Sequence, residues 1–377
     1  MMYAAISMAL LVFLSSCSMC LGGDRADLQT RRFQGGTGLW DRVHQEKRPT
    51  GIDWAVGLLL FKSEWVIATG GRRTVSFSWR SGAKSEFSSP ASYGVLAADG
   101  DYLWVGSNIS VGPTDPGYTG DRLYKHKWPR GAWDGYGHPG GACANIFQLC
   151  ADGADKLWAL FDGPLIMTLS NDNTWKQAFP PAGEHLVSPC PHIALVWPNE
   201  LWIAARRAQG EFPKTNLLRP GMTILNTKNH AIKRRLSEKH CAACYDPLAT
   251  YQDTRGAIWV LGMGPAIGPL EPGLGGTSHA LFASVSKDGK WLDYRLGSVG
   301  KASLGSQFGN AITEDKKGNI WVYHAGLYRF DASKKIWTRF GEPAPRWDGF
   351  RNEMLATPDG RIWLTDRHGS IWTFKGK

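Results

Sequence analysis

Long apolar runs and dense clusters of basic residues are both scarce in this chain of 377 residues. The one notable apolar run, Ala4–Phe13, lies at the N-terminus and is too short to span a bilayer unaided. The longest basic run is Lys233–Arg235, although the net charge is +10. Scattered charge of this kind is typical of a solvated surface, so nucleic acid is not expected as a partner.

Motifs that would identify an enzyme are missing as well. The chain contains no Gly-x-Ser-x-Gly, no His-Glu-x-x-His and no phosphate-cradling glycine loop. After the N-terminal leader, no segment keeps a helical period over a dozen residues. These absences argue against a helical fold and favour a role without catalysis and without a cofactor.

The leader, residues 1–23, has the features of a signal peptide. Its apolar run suits the central region of a secretory signal. Leu14-Ser-Ser-Cys17 resembles a bacterial lipobox, which implies acylation of Cys17 and a lipid anchor in the membrane. Plain secretory cleavage near Gly22-Gly23 stays open, because the first residues carry no Lys or Arg. Either route predicts an exported protein, in a bacterial cell envelope or secreted.

A tryptophan-centred phrase recurs seven times and predicts the architecture. The tryptophans are separated by 39, 54, 44, 57, 62 and 42 residues, a spacing that suits four-stranded propeller blades. We therefore expect an all-β fold: a seven-bladed β-propeller of four-stranded antiparallel blades, formed as a single domain by residues 24–377. The copies are Lys62–Val66, Asp99–Val105, Asp155–Ala159, Asn199–Ile203, Arg255–Val260, Lys317–Val322 and Asp359–Leu364.

The last blade lacks an outer strand, since the chain ends at Lys377 soon after its third strand. The segment Gly38–Val43 is similar to the outer strand predicted for blade six, Ile336–Phe340. We expect a strand near residues 38–43 to complete blade seven, because pairing the first and last segments removes an open sheet edge.

Three insertions are predicted on one face of the ring, between the second and third strands of their blades: Ser107–Asp121, Arg206–Pro220 and Gly262–Ser278. Loops on a rigid scaffold commonly carry binding residues. The ligand is therefore expected on this elaborated face, over the mouth of the central channel. The alternative is that the insertions only cover surface.

The predicted entrances of the inner strands supply candidate ligand-binding side chains. Amides and aromatic rings together suit the hydroxyls and faces of a neutral sugar. The alternative is that the asparagines only cap strand starts. The candidates are Tyr93, Asn145, His192, Tyr251, Asn310, Arg351 and Asn352.

Cysteine and histidine cluster in two links between blades, as Cys190-Pro-His192 and His240-Cys241-Ala-Ala-Cys244. In an exported protein these cysteines favour a disulfide, either Cys241 with Cys244 or Cys190 with one of them. A tetrahedral zinc site built from the same residues is a weaker alternative, and a redox pair is weaker still. Cys150 is expected to be a buried free thiol.

Two stretches resemble the two-component regulator propeller repeat, with the best match in the last two blades. They are Ala311–Val322 with Gly326–Asp331, and Met354–Leu364. This resemblance implies an exported sensor-type propeller, often periplasmic, that recognises a glycan-type ligand. The phrase Asp-x-x-Gly-x-Ile-Trp is also similar to streptogramin-lyase-like and lactonase-like propellers, which implies acid/base or metal-binding residues at the channel mouth.

Two functions therefore stay open. The first is a membrane-anchored propeller that binds a glycan or a protein partner without catalysis. The second is a lyase- or lactonase-like enzyme that uses channel-mouth histidines such as His192.

Overall fold

The structure is a computed structural model, in which the strands follow the predicted repeat. It describes residues 34–36, 38–44, 57–70, 73–88, 94–107, 121–137, 145–152, 156–161, 165–181, 192–205, 221–269, 277–300, 312–323, 326–340, 353–365 and 371–376.

The all-β propeller is confirmed: seven four-stranded antiparallel sheets form the ring. Two N-terminal strands, β1 (Gln34–Gly36) and β2 (Gly38–His44), join later blades. Blade one comprises β3 (Gly57–Phe61), β4 (Trp65–Gly70), β5 (Arg73–Ser78) and β6 (Lys84–Ser88). Blade two comprises β7 (Val95–Asp99), β8 (Tyr102–Gly106), β9 (Asp121–Lys127) and β10 (Trp133–Gly137). Blade three comprises β11 (Ile146–Ala151), β12 (Leu157–Phe161), β13 (Ile166–Leu169) and β14 (Trp175–Phe179).

The remaining four blades repeat this meander. Blade four comprises β15 (His192–Val196), β16 (Glu200–Ala205), β17 (Gly221–Asn226) and β18 (Ile232–Leu236). Blade five comprises β19 (Asp246–Gln252), β20 (Ile258–Pro269), β21 (Thr277–Lys287) and β22 (Lys290–Gly300). Blade six comprises β23 (Ile312–Glu314), β24 (Ile320–Tyr323), β25 (Leu327–Asp331) and β26 (Ile336–Phe340). Blade seven comprises β27 (Met354–Ala356), β28 (Ile362–Thr365) and β29 (Ile371–Gly376), together with β2.

The core is divided into seven apolar clusters, each shared by two neighbouring blades. Alternate residues of a strand point to opposite faces of its sheet, so each blade packs against both neighbours. Trp158 and Trp202, from the repeated phrase, are among the largest fully buried side chains. Each blade therefore depends on its neighbours to bury its apolar faces, as the repeat predicted.

The ring is closed by the N-terminal segment. Strand β2 pairs antiparallel with β29, with Gly38 opposite Gly376 and Trp40 opposite Phe374. The sequence did not anticipate β1, which adds a fifth strand to blade six by pairing parallel with β26. This first segment therefore bridges the last two blades.

Blade five departs from the expected loop arrangement. The predicted insertion Gly262–Ser278 is largely strand, because β20 runs to Pro269 and β21 begins at Thr277. The ladder continues through two register shifts, with Met263 opposite Leu281 and Gly268 opposite Ser278. The other two insertions lie almost entirely outside the described residues. Within the described ranges, no helix is long and apolar enough to cross a membrane.

Candidate functional site

The carboxylate of Asp315 explains why the repeated phrase contains both an aspartate and a tryptophan. Its Oδ1 accepts the backbone N–H groups of Lys317 at 2.9 Å and Asn319 at 3.0 Å, which closes the turn. Its Oδ2 accepts the indole N–H of Trp321 at 2.8 Å and the amide of Asn319 at 2.9 Å. Gly318 lies between them with φ 77°, a backbone conformation that glycine adopts without strain.

Other blades repeat this arrangement wherever an acceptor stands six residues before the tryptophan. The indole N–H donates to Asp253 from Trp259 at 3.1 Å and to Thr357 from Trp363 at 3.1 Å. Blade two has Asp99 five residues before its tryptophan, and the buried indole nitrogen of Trp104 has no hydrogen-bond partner among the described residues. The aspartate and the tryptophan of the repeated phrase therefore have structural roles.

Side chains from one blade hydrogen-bond to the inner strand of the next. The inner strand of a propeller blade has one edge without a partner strand, so its backbone groups need other partners. The N–H of Ile193 donates to Gln148 Oε1 at 2.8 Å, and that of Ala356 donates to Thr313 Oγ1 at 3.2 Å. These contacts fix the inner strands around the channel.

His192 belongs to the same set of contacts. It lies at the start of β15, is only 1% exposed, and its Nδ1 accepts the N–H of Thr250 at 3.3 Å. The structure thus places His192 at the start of an inner strand and engages its ring in joining blades four and five. His192→Ala would disturb the scaffold as well as any site.

Tyr251 does not lie at a strand entrance. Strand β19 begins at Asp246, so Tyr251 is its penultimate residue and lies at the opposite end of the channel from His192. The physical reason is that the blade link turns directly into β19 at Tyr245, five residues earlier than the sequence pattern indicated. Burial, the charge of Glu314 and the charge of Asp253 raise the pKa of Tyr251 to about 12.

Cys241 and Cys244 form a disulfide, one of the pairings that the sequence left open. Both residues are buried in the apolar cluster between blades four and five. The intervening link forms a short turn, in which Ala243 donates its N–H to Ser284 Oγ at 3.1 Å. With the sulfurs bonded, this pair offers zinc no thiolates, and the nearby His240 Nδ1 accepts the N–H of Ser237 at 3.1 Å.

Cys150 is a free thiol on inner strand β11. Burial raises its pKa to about 12, and the charge of Glu353 contributes in the same direction. The two residues belong to blades three and seven, which are not neighbours in the ring. Cys150 is therefore protonated at neutral pH and is a poor nucleophile.

Glu353 is a channel residue that sequence reasoning missed. It immediately precedes β27, is only 2% exposed, and its backbone exchanges hydrogen bonds with Thr365. A buried carboxylate next to the predicted candidates Arg351 and Asn352 is chemically conspicuous. Its position at the start of an inner strand could have identified Glu353 from the sequence. The sequence pattern instead assigned that position to Arg351 and Asn352.

Among the candidates that the structure describes, Asn145 has a side-chain oxygen with unused hydrogen-bonding capacity. It directly precedes β11, and its side-chain oxygen is buried without a hydrogen-bond partner among the described residues. A buried unsatisfied acceptor requires an explanation, and a bound donor is one. Tyr93, Cys190, Asn310, Arg351, Asn352 and the lipidation candidate Cys17 lie outside the described residues.

The described strand entrances thus carry one amide, two carboxylates and one imidazole, those of Asn145, Asp246, Glu353 and His192 on blades three, five, seven and four. Nowhere in the described ranges do three or more His, Cys, Asp or Glu side chains form a group that would hold a metal ion.

No protein-family model matches this sequence, and no curated protein matches it. Solved structures resemble it in fold. A streptogramin B lyase aligns with TM-score 0.61 at 15% identity, covering 90% of this chain and 98% of the other. The WD40 propeller domain of Doa1 aligns with TM-score 0.57 at 9% identity, covering 89% and 97% of the two chains.

The extracellular domain of the putative hybrid two-component system BT3049 from B. thetaiotaomicron aligns with TM-score 0.59 at 14% identity. The alignment covers 89% of this chain but 40% of that one. This chain therefore corresponds to less than half of that extracellular domain. At these identities the comparisons establish the β-propeller fold that this chain shares with a lyase, a two-component extracellular domain and a WD40 protein.

Proposed function

We propose that this protein is an exported propeller that binds a glycan-type ligand at the channel mouth bearing Asn145 and Glu353, without transforming it. The proposal rests on the buried side-chain oxygen of Asn145, which has no hydrogen-bond partner in the described part of the chain. A sugar hydroxyl donates a hydrogen bond to such an acceptor and fits an opening lined by a second acceptor, the carboxylate of Glu353.

The engagement of the other reactive groups supports binding over catalysis. The cysteines of the blade-five link are bonded to each other, Cys150 is held protonated, and His192 supports the scaffold. The likeness to the BT3049 extracellular domain adds a fold-level analogy, which is weak support for function.

Export and anchoring belong to the proposal through the leader and Cys17. A bacterial host that lipidates Cys17 would place the chain in the membrane fraction, and Cys17→Ala would release it into the soluble fraction.

A thermal-shift screen with neutral oligosaccharides, followed by calorimetry, tests the binding site. A ligand at a hundred times its dissociation constant stabilises the fold by about 2.7 kcal/mol. We expect Asn145→Ala to weaken the selected sugar by roughly tenfold, because one buried hydrogen bond is lost. Asn229→Ala removes an amide from an exposed outer turn and is the matched control.

Unchanged affinity in Asn145→Ala would disprove this site. Absence of any shift with sugars would point to a protein partner on the same face.

The second candidate is an enzyme, favoured by the likeness to streptogramin B lyase over 90% of this chain and by the buried carboxylate of Glu353. Turnover of a panel of lactones and cyclic esters, with and without divalent cations, tests it. Turnover that Glu353→Gln abolishes, in a variant that unfolds at the wild-type temperature, would replace the binding proposal with catalysis.

A further inference from the structure

A cavity of about 240 Å³ lies between blades six and seven, away from the proposed binding mouth. It is lined by the turns between the first and second strands of both blades, and by residues of β25 and β29. Those turns emerge on the face of the ring opposite the strand entrances that hold Asn145 and His192. The cavity is therefore separate from the channel-mouth site.

The charged groups of this cavity are unbalanced. Four cationic side chains line it, those of Lys316, Lys317, Arg329 and Lys375, together with the carboxylates of Asp315 and Asp359. The three lysines are exposed, so each is free to orient towards a bound group. The surplus of cations makes the cavity attractive to anions.

Both carboxylates are already engaged within their own turns. Asp315 accepts four hydrogen bonds from its turn and from Trp321. Asp359 pairs with Arg361 and accepts the hydroxyl of Thr357 at 2.6 Å. These hydrogen bonds, together with the charge of Arg361, lower the pKa of Asp359, so it stays ionised and bound to its own partners. Both carboxylates keep their charge, so the four cations and two carboxylates of the lining leave a net charge of +2.

Arg329 is the cationic group that most clearly indicates an anion site. Its guanidinium lies over the rings of Trp321 and Phe340, at 5.6 and 5.5 Å from their centroids, which holds it in place. Its Nε is buried and has no hydrogen-bond partner among the described residues. A guanidinium held in place, with an Nε–H that has no acceptor among the described residues, matches the planar geometry of an oxyanion.

We propose that this cavity between blades six and seven binds a compact oxyanion through Arg329, Lys317 and Lys375. A sugar carboxylate and a free phosphate both present such an oxyanion. Its volume is below the roughly 300–1,000 Å³ typical of sites for drug-sized ligands, so the ligand is an inorganic ion or a single acidic sugar residue. The site is independent of the proposed function, and the failure of one leaves the other intact.

Isothermal titration of the purified chain at constant ionic strength tests the site, with inorganic phosphate, glucuronate and neutral glucose as probes. We expect saturable binding of phosphate, glucuronate or both, and none of glucose. The anion that binds more tightly identifies the source of the ligand. Preference for glucuronate indicates an acidic sugar, and preference for phosphate indicates a free ion.

Two double variants distinguish binding at this cavity from a non-specific effect of the protein's net charge. Lys317→Gln with Lys375→Gln should weaken the anion at least tenfold. Lys228→Gln with Lys290→Gln removes the same charge from an exposed turn of blade four and the exposed start of β22 in blade five, and should leave the affinity unchanged. Arg329→Gln should abolish saturable binding, and its unfolding temperature shows whether the fold is retained.

Three results would overturn the proposal: no saturable heat with either anion, equal loss of affinity in the two double variants, or binding of glucose as tight as that of glucuronate.

Discussion

At the scale of single residues, the tryptophans of the repeat stabilise the fold through burial of the ring and, in several blades, through a hydrogen bond from the indole N–H. The indole N–H of Trp321 is matched to Asp315, whereas the buried indole N–H of Trp104 has no hydrogen-bond partner among the described residues. A buried donor without a partner weakens the fold, so two residues of the same type contribute differently.

Replacing each of these tryptophans by phenylalanine makes this difference measurable. Trp321→Phe removes a hydrogen bond and leaves Asp315 with one donor fewer. Trp104→Phe removes an indole N–H that has no acceptor in the described part of the chain. Both variants lose similar ring area. We expect Trp321→Phe to reduce the free energy of unfolding by about 1–3 kcal/mol more than Trp104→Phe, measured in urea. Equal losses would contradict the structural role assigned to the aspartate.

At the scale of elements, the link into blade five shows how a short segment joins two sheets. The disulfide and the backbone of this link pack closely against β20. A Cβ atom added at Gly262 of β20 would lie 2.0 Å from the carbonyl oxygen of Ala243 in the link. That contact admits only glycine at this position of the strand. The link is therefore built to hold blades four and five together.

Removing the disulfide should weaken this junction without destroying the fold. The bond closes a very short loop, for which the chain-entropy estimate is about 2 kcal/mol. We expect Cys241→Ala with Cys244→Ala to lower the unfolding free energy by about that amount. Wild-type protein treated with a reductant should lose a similar amount, and the double variant should be insensitive to the reductant. A double variant as stable as the oxidised wild type would show that packing alone holds the link.

At the scale of the whole molecule, stability depends on closing the ring. Strand β2 comes from the N-terminal part of the chain and pairs with β29 near its C-terminal end. Without it, β29 would present an open edge, and unpaired edges promote association.

A chain that begins at residue 45 should therefore be less stable than one that begins at residue 24. We expect the shorter chain to unfold several degrees lower and to elute partly as oligomers in size-exclusion chromatography. Each kcal/mol lost corresponds to roughly 2–4 °C for domains of 150–250 residues. Identical unfolding temperatures and elution volumes would show that β2 contributes nothing to closure.

Much of this architecture was predictable because the repeat is a local pattern. The phrases around Trp321 and Trp363 each contain the turn, the hydrogen-bond acceptor and the buried ring within a few residues. The strands of these two blades could therefore be predicted from the sequence. The candidate site was less predictable. Tyr251 was misplaced because the start of β19 depends on how the preceding link packs. Glu353 was missed because the sequence pattern does not show which polar residue at a strand entrance becomes buried.

The sequence by itself determined the number of blades, the all-β class and the closing segment, because hydrophobic periodicity and turn residues act over a few neighbours. Only the tertiary structure decided which of the polar groups remain available. It joined Cys241 to Cys244 and engaged His192 with Thr250. It also left the oxygen of Asn145 and the Nε of Arg329 without a hydrogen-bond partner within the described ranges. Those outcomes depend on distances between residues far apart in the chain, which no local pattern encodes.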